Sequence, residues 1–233
     1  SRSRLLTTGG TPSVTRYAYD ARGALATTRD PGGHVRTQVT DELGRVTRVE
    51  DPNAGAITFT WDLAGNLLTT TDARGRASQS VYDGANRLVA RFDPANEAQT
   101  RIEYTYDALP GCTECTNGGN RMVQATWPGA TAAGRDRRGY DARGNTVFSE
   151  RTIAGHAFVT RVAYDAVDRL VGITHPDGTA FTTTLDGAGR PTAVSGAVDA
   201  VAYDARDLRT RVQISNGVVT TYGYDANQRL VSA

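Results

Sequence analysis

The sequence predicts an all-β protein laid out as a continuous antiparallel meander of hairpins, and three recurrences predict it. A Tyr-Asp dipeptide or close variant returns roughly every 21 residues, each return opens a four-residue turn of the Asp-x-x-Gly kind, and a second turn, several times containing Pro, falls half a period later. Internal repeats are read first because they decide the architecture.

The dipeptides are Tyr19-Asp20, Thr40-Asp41, Trp61-Asp62, Tyr82-Asp83, Tyr106-Asp107, Tyr140-Asp141, Tyr164-Asp165, Leu185-Asp186, Tyr203-Asp204 and Tyr224-Asp225. Subtracting successive Asp positions gives separations of 21, 21, 21, 24, 34, 24, 21, 18 and 21. The first turn runs Asp20 to Gly23, Asp41 to Gly44, Asp62 to Gly65 and Asp141 to Gly144. Asp first and Gly fourth is the preference of a type I turn, in which the carboxylate accepts a nearby backbone N–H and glycine takes the positive φ. The second turn reads Asp30-Pro31-Gly32-Gly33, Asp51-Pro52-Asn53-Ala54-Gly55, Asp72-Ala73-Arg74-Gly75 and His175-Pro176-Asp177-Gly178. Proline there fits the fixed φ of a turn and interrupts any longer strand.

Six residues separate Gly23 from Asp30 and seven separate Gly33 from Asp41, so two four-residue turns and two strands complete one period of 21. Tight turns at both ends of every strand make neighbours antiparallel. No stretch between turns is long enough for a stable helix. Parity places Leu25, Thr27 and Arg29 on one face, and Val35, Thr37 and Val39 on one face. Val46 and Val49 fall on opposite faces unless a bulge shifts the register. The expectation is a sheet with one weakly apolar and one polar face rather than a thick core. About twenty strands would form a ribbon of roughly 95 Å, long enough that it must coil as a spiral or as part of a hollow shell.

Composition agrees and excludes some functions. The 233 residues carry 26 basic and 25 acidic side chains. That balance argues against a nucleic-acid or anionic-membrane surface, either of which usually shows a net basic face. Every basic residue is Arg, whose planar fork suits cross-strand pairing with Asp and Glu, although a genomic base bias explains the usage as well. No run is apolar enough to span a membrane, and no signal peptide opens the chain. The start at Ser1 and the stop at Ala233 within a repeat are those expected of a piece of a longer chain, read as a single array over residues 1–233 with an insertion at 108–121.

Several groups invite a chemical reading. The repeated Asp residues could suggest calcium, but a hard cation needs six or more converging oxygens, and each turn offers one carboxylate that the turn itself uses. The repeated Tyr residues could form a sugar-stacking ladder, but strict recurrence favours packing between neighbouring repeats. Trp61 takes a Tyr slot and reads as structural, whereas Trp127, beside Pro128-Gly129, reads as more exposed. Cys112 and Cys115 are the only cysteines and form a C-x-x-C inside the insertion. A local disulfide or structural thiols stand first. A metal site comes second, since two further ligands are missing. Redox catalysis comes last, because no strand-to-helix setting surrounds the pair. His34, His156 and His175 stand far apart near second turns, with no partnered nucleophile. No catalytic residue, cofactor or metal is assigned, and no enzyme activity is expected.

With these residues in hand, the chain resembles the RHS/YD repeat. Tyr82-Asp83-Gly84-Ala85-Asn86-Arg87-Leu88-Val89 and Tyr164-Asp165-Ala166-Val167-Asp168-Arg169-Leu170-Val171 carry the pattern, which covers essentially the whole chain. The resemblance implies a large β-sheet wound as a spiral or cocoon. It further implies a secreted or surface bacterial protein, of the kind found in polymorphic toxins and insecticidal toxin complexes, or the adhesive teneurins of animals. The self-cleaving core region and variable toxin tail of toxin members have no counterpart here. Turns lacking the glycine, Asp204-Ala205-Arg206-Asp207 and Asp225-Ala226-Asn227-Gln228, are expected to be distorted or frayed. The implied function is a scaffold or shell segment, whose partners are other shell segments or an enclosed polypeptide such as a toxin. The alternative is an adhesion or carbohydrate- or protein-binding module using loops around 111–129, with a cell-surface or glycan ligand.

Overall fold

The computed structural model describes the backbone of Arg2–Leu6 and, in full, residues 13–129 and 133–233. The chain packs as two units, Ser1–Tyr104 with Trp127–Ala130, and Thr105–Thr126 with Thr131–Ala233.

The first unit holds β1 (Arg2–Leu6), β2 (Ser13–Tyr19), β3 (Leu25–Arg29), β4 (Val35–Thr40), β5 (Val46–Asp51), β6 (Gly55–Trp61), β7 (Leu67–Thr71), β8 (Ala77–Tyr82), β9 (Leu88–Phe92), the helical turn α1 (Glu97–Thr100) and the start of β10 (Ile102–Asp107). Each strand pairs antiparallel with the next from β1 to β9, and β9 pairs with the start of β10. The second unit contains most of β11 (Gly118–Trp127), then β12 (Gly134–Tyr140), β13 (Thr146–Ile153), β14 (His156–Tyr164), β15 (Leu170–Thr174), β16 (Ala180–Leu185), β17 (Pro191–Val194), β18 (Val198–Tyr203), β19 (Arg209–Ile214), β20 (Val219–Thr221), β21 (Gly223–Tyr224) and β22 (Leu230–Ser232). Successive strands pair antiparallel from β12 to β20, and β21 pairs with β22. The all-β meander is the observed fold. Its one helix among the described residues is the single turn α1, which occupies the second turn of the repeat opened by Asp83 and so lengthens that spacing to 24.

A register irregularity recurs just past the Asp turns of Asp20, Asp41, Asp62, Asp83, Asp141, Asp165, Asp186, Asp204 and Asp225. Tyr19 faces Leu25, yet Ala18 faces Thr27, so Ala26 is an extra residue on the second strand. The same bulge leaves out Thr47, Leu68, Val89, Val147, Val171, Thr192, Thr210 and Val231. A bulge flips the parity of everything beyond it. Val46 and Val49 therefore share a face, since Thr40 and Gln38 oppose them. Leu25, by contrast, is separated from Thr27 and Arg29, which corrects the parity read from sequence. Threonine suits the bulge because its hydroxyl donates back across it. Thr47, Thr192 and Thr210 each reach the carbonyl oxygen of the residue before the turn dipeptide, Val39, Thr184 and Ala202, at 3.3, 3.1 and 3.2 Å.

The core is thin, as expected of a single-layer sheet, but the division into one apolar and one polar face does not hold. Register puts Val49, Ile57, Phe59 and Trp61 on one face of the first unit, and Val81, Ala90 and Phe92 on the other. Val49, Ala90 and Phe92 are all buried.

The glycine-free turns are intact rather than frayed. Asp207 (φ 66°) and Gln228 (φ 63°) take the left-handed conformation that glycine takes elsewhere, as do Asn86 (60°) and Asp168 (63°). Their N–H groups still donate to the carbonyl oxygens of Asp204 and Asp225, at 3.1 and 3.0 Å. Asn and Asp tolerate this region better than most side chains, while Gln is an uncommon occupant.

Candidate functional site

The residues singled out by recurrence converge on one structure, a seam where each repeat is fastened to the one before it. At its base lies the Asp turn. Asp20 Oδ1 accepts from the backbone N–H of Arg22 and Ala24 at 2.9 and 2.8 Å, and the Gly23 N–H closes the turn onto the Asp20 carbonyl. The same pair of bonds, to the residues two and four further on, recurs at Asp41, Asp83, Asp165, Asp186, Asp204 and Asp225. Asp62 bonds Asn66 N–H, and Asp141 bonds the N–H groups of Arg143, Gly144 and Asn145.

These bonds favour the ionised carboxylate. The backbone N–H groups of Ala24, Arg87, Arg169, Arg190 and Arg229 are the leading cause that holds Asp20, Asp83, Asp165, Asp186 and Asp225 below the ordinary carboxyl value. At Asp62 and Asp204 the leading cause is a side-chain donor, Asn66 and Arg206 respectively. At Asp41 and Asp141 burial pushes upward most strongly, but the donors around Arg45 and Asn145 together outweigh it.

The residue after the turn's fourth position bridges two repeats where it is Arg45, Asn66, Asn145 or Arg190. Arg45 pairs with Asp41 at 2.7 Å, donates to the Asp62 carbonyl oxygen of the next turn, and lies over the Trp61 ring at 5.9 Å. Arg190 pairs with Asp186, reaches Asp207 of the next turn, and lies over Tyr203 at 4.6 Å. Asn fills the slot elsewhere. Asn66 Nδ2 donates to Asp62 and to Asn86 Oδ1, and Asn145 Nδ2 to Asp141 and to Asp168 Oδ1. From within the turn, Arg22 and Arg143 reach the next turn's carbonyl oxygens in the same direction. The recurrence of Arg or Asn at this slot was the visible signal.

At Trp61, Tyr82, Tyr140, Tyr203 and Tyr224 the aromatic of the dipeptide fastens the upper part of the seam. Trp61 Nε1 donates to the Val46 carbonyl oxygen at 2.9 Å, and the hydroxyls of Tyr82, Tyr140, Tyr203 and Tyr224 donate to those of Leu67, Met122, Pro191 and Arg209 at 3.1, 2.7, 2.8 and 2.9 Å. Val46, Leu67, Pro191 and Arg209 each stand immediately before a bulge residue, so the bulge and the acceptor form one device. The Tyr ladder is thus a polar fastening rather than ring-on-ring stacking. Tyr19 is 47% exposed, and Tyr164 makes no hydroxyl bond among the described residues.

The insertion opens one Asp turn without destroying it. Asp107 (φ 69°) accepts from the Asn120 N–H at 2.7 Å, so Asn120 (φ 57°) and Arg121 take the places that Asn86 and Arg87 hold in an ordinary repeat. Gly118 and Tyr106 lie at this junction, and a Cβ on Gly118 would meet the Asp107 carbonyl oxygen at 2.2 Å. Cys112 and Cys115 are bonded, Sγ to Sγ, at 2.04 Å. Cys115 is 7% exposed and packs with Val123, Tyr140 and Phe148, flanked by Leu109, Cys112 and Val159. Thr116 O accepts from the Tyr140 N–H at 3.0 Å, the Thr116 hydroxyl and Asn117 Nδ2 donate to the Tyr140 carbonyl oxygen, and Glu114 takes a bidentate pair from Arg161 at 2.8 and 2.9 Å. Trp127, at the end of β11, is half-buried, and the stretch 130–132 beyond it lies outside the described residues.

Among the described residues no three His, Cys, Asp or Glu side chains gather as a metal site, and no helix is long and apolar enough to cross a membrane. His34 pairs with Asp30 and His175 packs edge-on against Phe181, both within their own hairpins.

The fold and the seam define a class of protein, a tandem β-hairpin array in which each repeat is completed by the next. The RHS repeat family model matches residues 41–77 and 164–201, so these segments are RHS repeats, and the chain resembles that family in its turns, spacing and fold. No curated protein sequence matches the chain. Among solved structures, the TcdB2–TccC3 complex matches at 20% identity with a TM-score of 0.70, and the TcdB2–TccC3–Cdc42 complex at 20% and 0.67. A Tc holotoxin pore of Photorhabdus luminescens matches at 19% and 0.68. Each match covers 97% of this chain and 13% of the other, so this chain spans a small part of those proteins and the likeness is one of fold.

Proposed function

We propose that the chain is a wall segment of a larger RHS shell, in a secreted or surface bacterial protein, that encloses or displays a polypeptide such as a toxin. The observation that carries this reading is the likeness over 97% of the chain to TcdB2–TccC3, where it corresponds to 13% of a long chain. The seam supports it: fastenings between successive repeats, rather than a convergent pocket of reactive groups, are what a wall requires. Residues 1–233 would act as one array of about ten repeats, and no catalytic residue, cofactor or metal enters the proposal.

Limited proteolysis of the full-length parent protein tests it. An enclosed segment should resist protease while the array is intact and become cleavable when the residues 1–233 are deleted. Equal cleavage in both forms would overturn the enclosure.

The binding-module reading relied on an accessible loop at 111–129. Cys115 and Val123 are buried there and Glu114, Thr116 and Asn117 are bonded to β12 and β14, which seats the loop on the sheet while Thr113, Glu114, Thr116 and Asn117 keep exposed surface. Replacing Thr113 and Glu114, the exposed tip, would abolish ligand capture under the binding reading and leave shell protection unchanged under ours.

A further inference from the structure

We propose that the Cys112–Cys115 disulfide is a reducible latch, which keeps the core of the second unit closed in oxidising surroundings and opens it to a dithiol reductant. The inference does not depend on what the array encloses.

The insertion supplies part of the core instead of decorating it. In the second unit, the buried hydrophobic residues among those described are Cys115, Val123, Ala125, Tyr140 and Phe148, and Cys115 forms one cluster with Val123, Tyr140 and Phe148. Lifting the loop would uncover Val123, which is 0% exposed, and Phe148, which is 4% exposed. A single-layer sheet has no second layer to cover them.

The points that hold the loop lie between the cysteines and directly after them. Thr116 and Asn117 bond the backbone of Tyr140, and Glu114 bonds Arg161. The seat is also tight. A Cβ on Gly139 would lie 1.8 Å from the Glu114 carbonyl oxygen, so the loop rests on the backbone of β12 and leaves it as a unit or stays. The disulfide fixes the loop's shape in the stretch that carries these contacts. A cross-link stabilises mainly by restricting the open ensemble, so cutting it raises the population of the open loop.

Exposure sets the order of the chemistry. Cys112 is half-buried and Cys115 buried, so an incoming thiolate meets the Cys112 sulfur first. Attack there forms a mixed disulfide with Cys112 and breaks the bond to Cys115, whose sulfur leaves as a thiolate and takes a proton from water. The second thiol of the reductant then attacks its own sulfur in the mixed disulfide, releasing Cys112 as a thiolate that is protonated in turn. Two electrons pass to the cysteine pair and the reductant ends as a disulfide.

Amide hydrogen exchange on the whole chain, with and without dithiothreitol at neutral pH, tests the latch. Reduction should speed exchange at the Tyr140 amide on the order of tenfold or more, while Val49 and Ala90 in the first unit stay unchanged. Reoxidation should restore protection, and a C112S/C115S double variant should match the reduced protein and ignore the reductant. Reduction without change at Tyr140 overturns the proposal. So does equal loss of protection in both units, or a disulfide that dithiothreitol cannot reduce in the folded chain.

Discussion

Tyr82 donates its hydroxyl to the carbonyl oxygen of Leu67, fifteen residues back and one hairpin earlier, at 3.1 Å. Tyr140 does the same to Met122 at 2.7 Å from a ring that is 7% exposed. A hydrogen bond of this kind contributes about 1 kcal/mol net, and more when its loss strands a buried acceptor. Tyr140→Phe should therefore lower stability by about 1–2 kcal/mol and Tyr82→Phe by about 1 kcal/mol. Tyr164→Phe, whose hydroxyl has no partner among the described residues, should be close to neutral. Urea unfolding of the three variants checks this, and equal losses at all three positions would contradict the seam as drawn.

Backbone conformation gives a second, opposite pair of effects. Gln228 holds φ at 63° with no glycine's freedom, and Gly23 holds it at 84° with nothing within 4 Å of a would-be Cβ. A left-handed L-residue costs roughly 1–2 kcal/mol. Gln228→Gly should accordingly stabilise by about 0.5–1 kcal/mol, after the added freedom of the unfolded chain is subtracted. Gly23→Ala should destabilise by about 1 kcal/mol. Thermal melts of the two variants should shift in opposite directions.

Acid should unfold the array steeply. The carboxyls of Asp20, Asp83, Asp165, Asp186 and Asp225 lie below the ordinary value of 3.8, chiefly through backbone N–H donors. A carboxyl whose folded value is depressed contributes stability in full above the unfolded value, and that contribution is lost as pH falls through the folded value. Stability should thus be level above about pH 5 and fall below about pH 4. The fall should be steep, because the same turn is protonated in repeat after repeat. Circular dichroism across a pH series reads it, and a decline already under way at pH 6 would contradict it.

The docked loop allows a steric test. Gly139→Ala places a methyl against the Glu114 carbonyl oxygen, and overpacking of that sort costs about 1–3 kcal/mol. Glu114→Gln removes only an ion pair whose side chains are 43% and 53% exposed, so little change is expected. Chemical denaturation should rank Gly139→Ala well above Glu114→Gln, and the reverse order would mean that charge, not seating, holds the loop.

The parts of this structure governed by local chemistry were legible in the sequence. Asp20 to Gly23 announces its turn because the carboxylate and the positive φ act within four residues, and the 21-residue spacing then dictates the meander. The bulge at Thr47 left only a trace, the clash of parity between Val46 and Val49, because an extra residue on one strand shows itself only against its partner. Gln228 in a left-handed turn was unreadable for a different reason: the bonds of Asp225 to Asn227, Gln228 and Arg229 impose the turn against the residue's intrinsic preference. The seating of Cys115 on Val123, Tyr140 and Phe148 depends on residues up to 33 positions away and has no local mark at all. What did recur in plain view, the Arg or Asn that follows most of the Asp turns, needed the neighbouring repeat in place before the reach of Arg45 from Asp41 to Asp62 could be seen.

Because Tyr82 reaches back to Leu67 and Arg45 reaches forward to Asp62, the fastenings depend on where the next dipeptide arrives and are indifferent to how much chain lies in between. The hairpin shortened to a spacing of 18 still delivers Tyr203 to Pro191, and the one enlarged to 34 still delivers Tyr140 to Met122. Such an architecture can gain or lose residues inside a repeat without renegotiating its neighbours. Length variation is thereby absorbed within single hairpins, and even the cysteine loop, which rests on β12 and β14, leaves the fastening of Tyr140 to Met122 in place.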